Sequence, residues 1–263
     1  MRKAYKGLGE FVFVKVILSR KGFDSEFGGS PSPILPDGSM VSLPIPAGEG
    51  YPKYSDIHRG PFNNLEELMQ RCGIPVPSNC HSDPDIYRES QPRDQNWRAL
   101  FGQHGTAEAH LEHQKVGVGD LFLFFGLYRR VDADYHFTGD EMHAIFGYMQ
   151  IGQVIHCDET TKLEPWMEYH PHADLEHRRE RNNTIYVAES SGVFKFDERL
   201  VLTKQGMTKS RWDPDKLPKD LKMSMHPNPY RNGYFQSSSP GQEFVMQNGE
   251  EWARALLRDC KTQ

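Results

Sequence analysis

The stretch Val116–Arg129, Val-Gly-Val-Gly-Asp-Leu-Phe-Leu-Phe-Phe-Gly-Leu-Tyr-Arg, limits the fold more than any other part of the chain. A glycine-bounded turn ending in Asp120 opens into an unbroken apolar run, Leu121 to Phe125. A half-exposed strand would alternate, so a run this short and aromatic reads as a strand buried on both faces. A second run, Ala144 to Ile155, has the same character, with Gln150 and Gln153 set inside it. Together they predict the central ladder of a sheet. Amides in a buried strand need partners, so these two either read a polar ligand or satisfy neighbouring backbone.

The remaining segments predict what surrounds that ladder. Phe11 to Leu18 is β-branched and aromatic and reads as a strand. It runs into Ser19-Arg-Lys-Gly-Phe-Asp-Ser25 and then Gly28-Gly29. Glycines let backbone approach a substrate closely, and Arg20 and Lys21 suit an anion. The alternative is that Arg20 and Asp24 pair and hold the loop. Pro31 to Pro46 predicts a hairpin or extended arm with a turn at Pro36-Asp37-Gly38, and Asn63 or Asn64 caps a short helix stopped by Gly73. Asn96 to Phe101 reads as a helical turn, Gly102 to Gly105 as a flexible link, and Thr106 as the cap of a helix through Gln114. Asn183–Ala188, Leu200–Thr203 and Gly241–Gln247 complete the strands. Trp212 reads as a cover over the core edge, and Glu251–Arg258 as an amphipathic helix with Trp252, Ala255 and Leu256 inward.

The expected architecture is one mixed α/β (α+β) domain over 14–263, with residues 1–13 as an N-terminal extension. Its centre is a twisted mixed sheet, flanked by short helices and long loops. The four cysteines are scattered with no CxxC pair, which gives neither a zinc ribbon nor a disulfide framework. No apolar run approaches a membrane span and the N-terminus carries no signal-peptide pattern, so the expected setting is soluble and cytoplasmic, with no membrane partner. A net charge of -5 gives no global pull toward nucleic acid, so any polyanion contact needs a local basic patch. There is no GxGxxG after a strand, no GxxxxGK[ST], no HExxH and no GxSxG.

Three groups of residues carry candidate chemistry. His81, Asp83 and Asp85 lie within five residues, and alternation along an extended segment would turn all three to one side. That set suits a divalent metal, or a general base with an orienting partner, or merely an Asp-rich turn fixed by Pro84. Among His104, His110 and His113, His110 is favoured because it precedes the central strand. Residues 164–183 are the most histidine-rich, with His170 and His172 as a two-histidine arm, His177 beyond it, and Arg178, Arg179 and Arg181 as either a phosphate contact or a solvated helix face.

Several of these motifs together resemble the third type of nucleotide-modification-associated domain. The likeness rests on Val16–Ser25, Gly28-Gly29-Ser-Pro-Ser-Pro, Cys80–Asp85, Phe101-Gly-Gln103, His110-Leu111, Gly119–Gly126, Asn183–Val187 and Gly241–Val245, and so covers nearly the whole chain from Val14. The resemblance implies a component of systems that hypermodify DNA bases, with DNA or nucleotide as substrate and other base-modification enzymes as company. It implies catalytic roles for Asp24, His81, Asp83, Asp85 and Glu243. It also implies ligand contacts from Ser19, Arg20, Lys21, Gly28, Gly29, Gln103, His110 and Gln242, while the ends of the Val116–Arg129 stretch read as the rim of such a site, through Asp120 and Arg129. Pro240 stands where a basic residue would be expected, which weakens any phosphate contact there. Val116–Ile155 is also similar to the central strands of PUA-like and EVE-like readers of modified bases, which are small barrels. That likeness implies a partly closed barrel and a non-catalytic alternative in which Trp97, Phe101 or Tyr128 stacks a flipped base.

Overall fold

The computed structural model describes residues 15–219, 221–224, 229–237 and 243–263. Its strands in chain order are β1 (Val16–Arg20), β2 (Ser32–Ile34), β3 (Ile45–Ala47), β4 (Asn79–His81), β5 (Leu100–Gln103), β6 (Leu121–Val131), β7 (Phe137–His156), β8 (Thr184–Val193), β9 (Arg211–Trp212), β10 (Tyr230–Arg231), β11 (Tyr234–Gln236) and β12 (Glu243–Met246). The helices are α1 (Leu65–Arg71), α2 (Gly105–His113), α3 (Leu175–Arg179) and α4 (Glu250–Asp259).

The architecture is the expected mixed α+β one. Seven strands form one sheet in the order β12-β1-β6-β7-β8-β5, with β2 alongside the second half of β6. β1 and β2 run parallel to β6, and every other neighbour is antiparallel. The sheet curls into a half-barrel and does not close, since β12 and β5 end it on opposite sides. β6 is buried continuously from Leu121 to Tyr128, as its unbroken apolar run requires. Both central strands extend beyond their apolar runs, because Arg130–Val131 and Phe137–Thr138 still pair as the polar end of the hairpin.

One glycine on β6 sets where the neighbouring chain turns away. A Cβ on Gly126 would lie 2.6 Å from the Lys21 carbonyl oxygen, and the Lys21 N–H donates to the Phe125 carbonyl at 2.8 Å. The backbone leaving β1 therefore crosses β6 in close contact, and the 20–24 loop is fixed to the sheet edge. α1, capped by Asn64, packs Leu65, Leu68 and Met69 onto Leu43, Tyr54 and Ile57 below that loop.

Several local expectations are corrected. Leu100–Gln103 is not a helical turn and flexible link; it is β5, paired with β8, and α2 begins at Gly105 after His104. Leu200–Thr203 makes only single bridges, at Val201 and Thr203. Trp212 is wholly buried, and its Nε1–H donates to His143 Nδ1 at 3.0 Å, which makes it core rather than a cover. α4 buries Ala253 and Leu256, with Trp252 and Ala255 half-buried. Residues 1–14, with the first half of the first expected strand, lie outside the described residues. Among the described residues no helix is long and apolar enough to cross a membrane.

α2 docks on β8 through a buried acid. Glu108 is 1% exposed, and the Tyr186 hydroxyl reaches both its oxygens, at 2.8 and 2.9 Å. Burial pushes the Glu108 carboxyl up from 4.5 to about 8, against the lowering effect of Tyr186 and Thr184. A folded value above the unfolded one means that its stabilising contribution is complete below about pH 4.5 and is lost as pH rises through about 8. The Glu108→Gln variant, neutral throughout, is expected to remove this decline. In urea titrations from pH 5 to 9 the gap between variant and wild type should widen upward by at most about 5 kcal/mol. A gap that stays constant with pH would show that Glu108 does not titrate across this window.

Candidate functional site

A cavity of about 240 Å³ lies where β1 and β5 run out of the sheet. Arg20 and Lys21 enter it from the end of β1, and His81 from the end of β4, held in register by pairing with Ile45. His104 comes from the β5–α2 junction, His172 from a short 3-10 turn at Pro171–Ala173, and His177 from α3. α3 is only one turn and a half long, so its start depends on Asp174, which accepts from the backbone N–H groups of Glu176 and His177 at 2.7 and 3.1 Å.

Gly102 makes this arrangement sterically possible. A Cβ there would lie 2.2 Å from Cγ of His172. The edge of β5 is thus bare where the His172 ring packs flat against it. The gain in access outweighs the weakening that a glycine brings to a strand.

Four imidazoles meet in the cavity. The ring centres of His172 and His177 are 4.6 Å apart, those of His81 and His172 5.3 Å, and those of His104 and His177 5.4 Å. Hydrogen bonds assign the tautomer of one of them, His172. Asn183 Nδ2 donates to the His172 carbonyl at 2.9 Å, so its Oδ1 must accept from His172 Nδ1–H, at 2.8 Å. The Nε2 atom of His172 therefore keeps its lone pair. The Tyr51 hydroxyl lies 3.1 Å from His177 Nδ1, and an Asp174 carboxylate oxygen lies 3.7 Å from the same nitrogen. Burial lowers His81 to about 4 despite the opposing charge of Asp83, and burial also lowers His172 and His104. Burial and the charges of Asp174 and Glu176 raise Tyr51 to about 12. His104 Nδ1 is buried without a hydrogen-bond partner.

Asp83 lines the cavity but is already engaged. Its Oδ1 accepts from the Gly102 N–H at 2.9 Å and from His170 Nε2 at 3.0 Å. His170 Nδ1 accepts from the His172 N–H at 3.3 Å, so its Nε2 carries the proton. Burial pushes the Asp83 carboxyl up, but the hydrogen bond and charge of His170, with His172 and Lys21, outweigh it and hold the group well below the usual carboxylate range. The two-histidine arm therefore splits: His172 faces the cavity, and His170 anchors the arm to Asp83.

The other sequence candidates divide clearly. Arg20, Lys21, Asp24, His81, Asp83 and Gln103 all line the cavity. Asp24 also accepts from the N–H groups of Glu26 and Phe27, both at 2.8 Å, and lies 3.6 Å from Arg20, so it shapes the loop that carries the arginine. Glu243 does not face the cavity. Its Oε1 accepts from Ser19 at 3.1 Å, Lys21 at 3.0 Å and Gln103 at 2.8 Å in a buried knot joining β12, β1 and β5. Asp85 turns away from His81 and Asp83, because β4 ends at His81 and the Asp85 carboxylate pairs with Arg93 and Trp97. His81, Asp83 and Asp85 thus do not form one ligand set. Gly28 and Gly29 form a turn closed by the Gly29 N–H to the Asp24 carbonyl, 2.9 Å, behind the cavity wall.

Three further candidates lie off the site. His110 bonds Ser224 at 2.9 Å, and Arg129 donates to the Gly139 carbonyl at 2.8 Å. Asp120 pairs with Lys15 at 3.3 Å, at the end of β1 remote from Arg20. Gln242 and Pro240 lie outside the described residues. Arg178 is tied to the carbonyls of Asp158 and Thr161, and Arg179 to Glu159. Sequence reasoning favoured His110 over His104 and paired His172 with His170; the signal for His104, His172 and His177 together was the density of histidine from 164 to 183 and on either side of Gly105.

Fold and site define an α+β protein whose sheet ends in a polar cavity presenting imidazoles and a partly exposed arginine. The chain belongs to the nucleotide modification associated domain 3 family, whose family model matches residues 15–247, and this ties it to nucleotide modification. Comparison with curated proteins and with solved structures finds no match.

Proposed function

We propose that the protein is an enzyme acting on a nucleotide or on a base of DNA, and that the reaction takes place in the cavity at the ends of β1 and β5. The observation that carries this reading is the meeting of Arg20 with four imidazoles in one polar cavity of a nucleotide-modification family member. Arg20 holds a phosphate through the guanidinium N–H groups that Asp24 leaves open. His104, its Nδ1 without a protein partner, is the group best placed to accept a proton. Glu243 acts behind the cavity and, with Lys21 and Gln103 at the cavity wall, frames it. One domain over 14–263 remains the organisation that this reading assumes.

The reader alternative finds no support in the burial pattern. Phe101 and Tyr128 are 0% exposed, and the half-buried ring of Trp97 is covered by the guanidinium of Arg93 at 4.6 Å. None of the three offers a face on which a flipped base could stack.

Calorimetry with nucleosides, nucleotides and short DNA tests the reading. Phosphate-bearing ligands are expected to bind one per chain, and Arg20→Ala is expected to weaken them at least about tenfold, the worth of one charge-assisted hydrogen bond. Mass spectrometry of recovered bases then reports turnover. If no nucleotide or DNA binds, or if Arg20→Ala binds like wild type, the proposal fails.

A further inference from the structure

We infer that His81, His172 and His177 form a three-histidine site for one divalent transition metal, a ligand set distinct from His81, Asp83 and Asp85. The inference rests on the proposed reaction cavity for its purpose, but on geometry alone for its existence. One ring nitrogen from each of the three histidines lies within 4.8 Å of the other two. A point therefore exists no more than about 2.8 Å from all three, against the roughly 2.0–2.1 Å of a zinc–imidazole bond. Each ring needs to move inward by less than an ångström.

Two features separate this cluster from incidental histidines. First, polar side chains stand against the Nδ1 atoms of two rings, as hydrogen-bond partners do behind metal-bound imidazoles. Asn183 Oδ1 accepts from His172 Nδ1–H, and the Tyr51 hydroxyl lies 3.1 Å from His177 Nδ1. The first bond fixes the His172 tautomer and leaves its Nε2 free to coordinate. Second, the three come from β4, a 3-10 turn and α3, and specific devices bring them together: the bare edge at Gly102, the Asp174 cap and the anchoring of His170 on Asp83. The other two groupings with ligand-like spacing, Glu108-Glu112-His156 and Asp132-Asp134-His136, lie largely on the surface.

Neutral imidazoles select zinc, cobalt, nickel or iron(II) over magnesium or calcium, which prefer oxygen. Three protein ligands leave a coordination position open, and Arg20 and Asp83 line the same cavity. A water or a substrate oxygen fits there.

The test uses the full chain stripped with chelator and titrated with zinc or cobalt chloride alone. One equivalent is expected to bind, with a visible cobalt spectrum of imidazole ligation and a raised melting temperature. His81→Ala, His172→Ala and His177→Ala are each expected to weaken binding by about 100-fold or more, and Asn183→Ala by about 10- to 100-fold. His156→Ala and His136→Ala should leave it unchanged. The folding of each variant is followed by circular dichroism, and a conservative pair, His172→Gln and His177→Gln, keeps the test decisive if an alanine variant does not fold. Failure to bind one equivalent, binding that survives the loss of any two of the three, or binding abolished by His156→Ala or His136→Ala overturns the inference. Stoichiometric metal without nucleotide binding leaves this site standing and removes the proposed function. Nucleotide binding in a chain that takes no metal does the reverse.

Discussion

Replacing Glu243 by leucine is expected to cost about 3–5 kcal/mol of unfolding free energy, because it leaves the Lys21 ammonium buried without a counter-charge. The Lys21 side chain is 8% exposed and that of Glu243 1%, so solvent cannot take over the lost role. Ser19 and Gln103 lose their shared acceptor at the same time. Lys21→Met on its own should be costly for the mirror-image reason. The double variant, with an apolar pair in place of the ions, should recover much of the loss. Urea denaturation of the four proteins measures this as a coupling energy. A Glu243→Leu cost below about 1 kcal/mol would mean that the knot is not what joins these strands. The knot lies one residue from Arg20 on β1 and one residue from His104 on β5, so its loosening should also reach the cavity.

That knot shows what a sequence does and does not reveal about polar residues. Ser19, Lys21, Gln103 and Glu243 stand out as polar groups at strand ends, and such groups commonly face a ligand. In the folded chain they face one another. The need of a buried polar group for a partner is visible from residue type alone; whether the partner is a ligand or a residue some 220 positions away is not. The central ladder was readable for the opposite reason. Burial on both faces demands an unbroken apolar run, and Leu121–Phe125 and Ala144–Ile155 carry that demand locally. β5 was misread because Gly102, taken as a mark of flexibility, instead clears space for His172, and nothing near residue 102 announces a ring delivered from residue 172. The His81–Asp83–Asp85 grouping failed similarly. Alternation holds only within a strand, and β4 stops at His81.

The second large effect is expected at Asp83, where two substitutions should separate structure from chemistry. Asp83→Ala leaves the Gly102 N–H and the His170 Nε2–H buried without an acceptor, a loss of about 3–5 kcal/mol, and releases the arm that carries His172. Asp83→Asn keeps an oxygen for both donors, so the fold should persist, but it removes the negative charge facing His81 and His172. The acid limb of stability distinguishes the two roles. A carboxyl held below its ordinary value of 3.8 contributes stability that is present above that pH and is lost as pH falls through the folded value. The advantage of wild type over Asp83→Asn should therefore be full at neutral pH and shrink steadily under acid conditions. Turnover by Asp83→Asn, once the substrate is in hand, should drop by about 10²-fold or more at unchanged folding, as expected when a preorganised charge is removed from a site. If Asp83→Asn matches wild type in both the acid limb and turnover, the carboxylate serves only as a hydrogen-bond acceptor, and the electrostatic role argued for it is wrong.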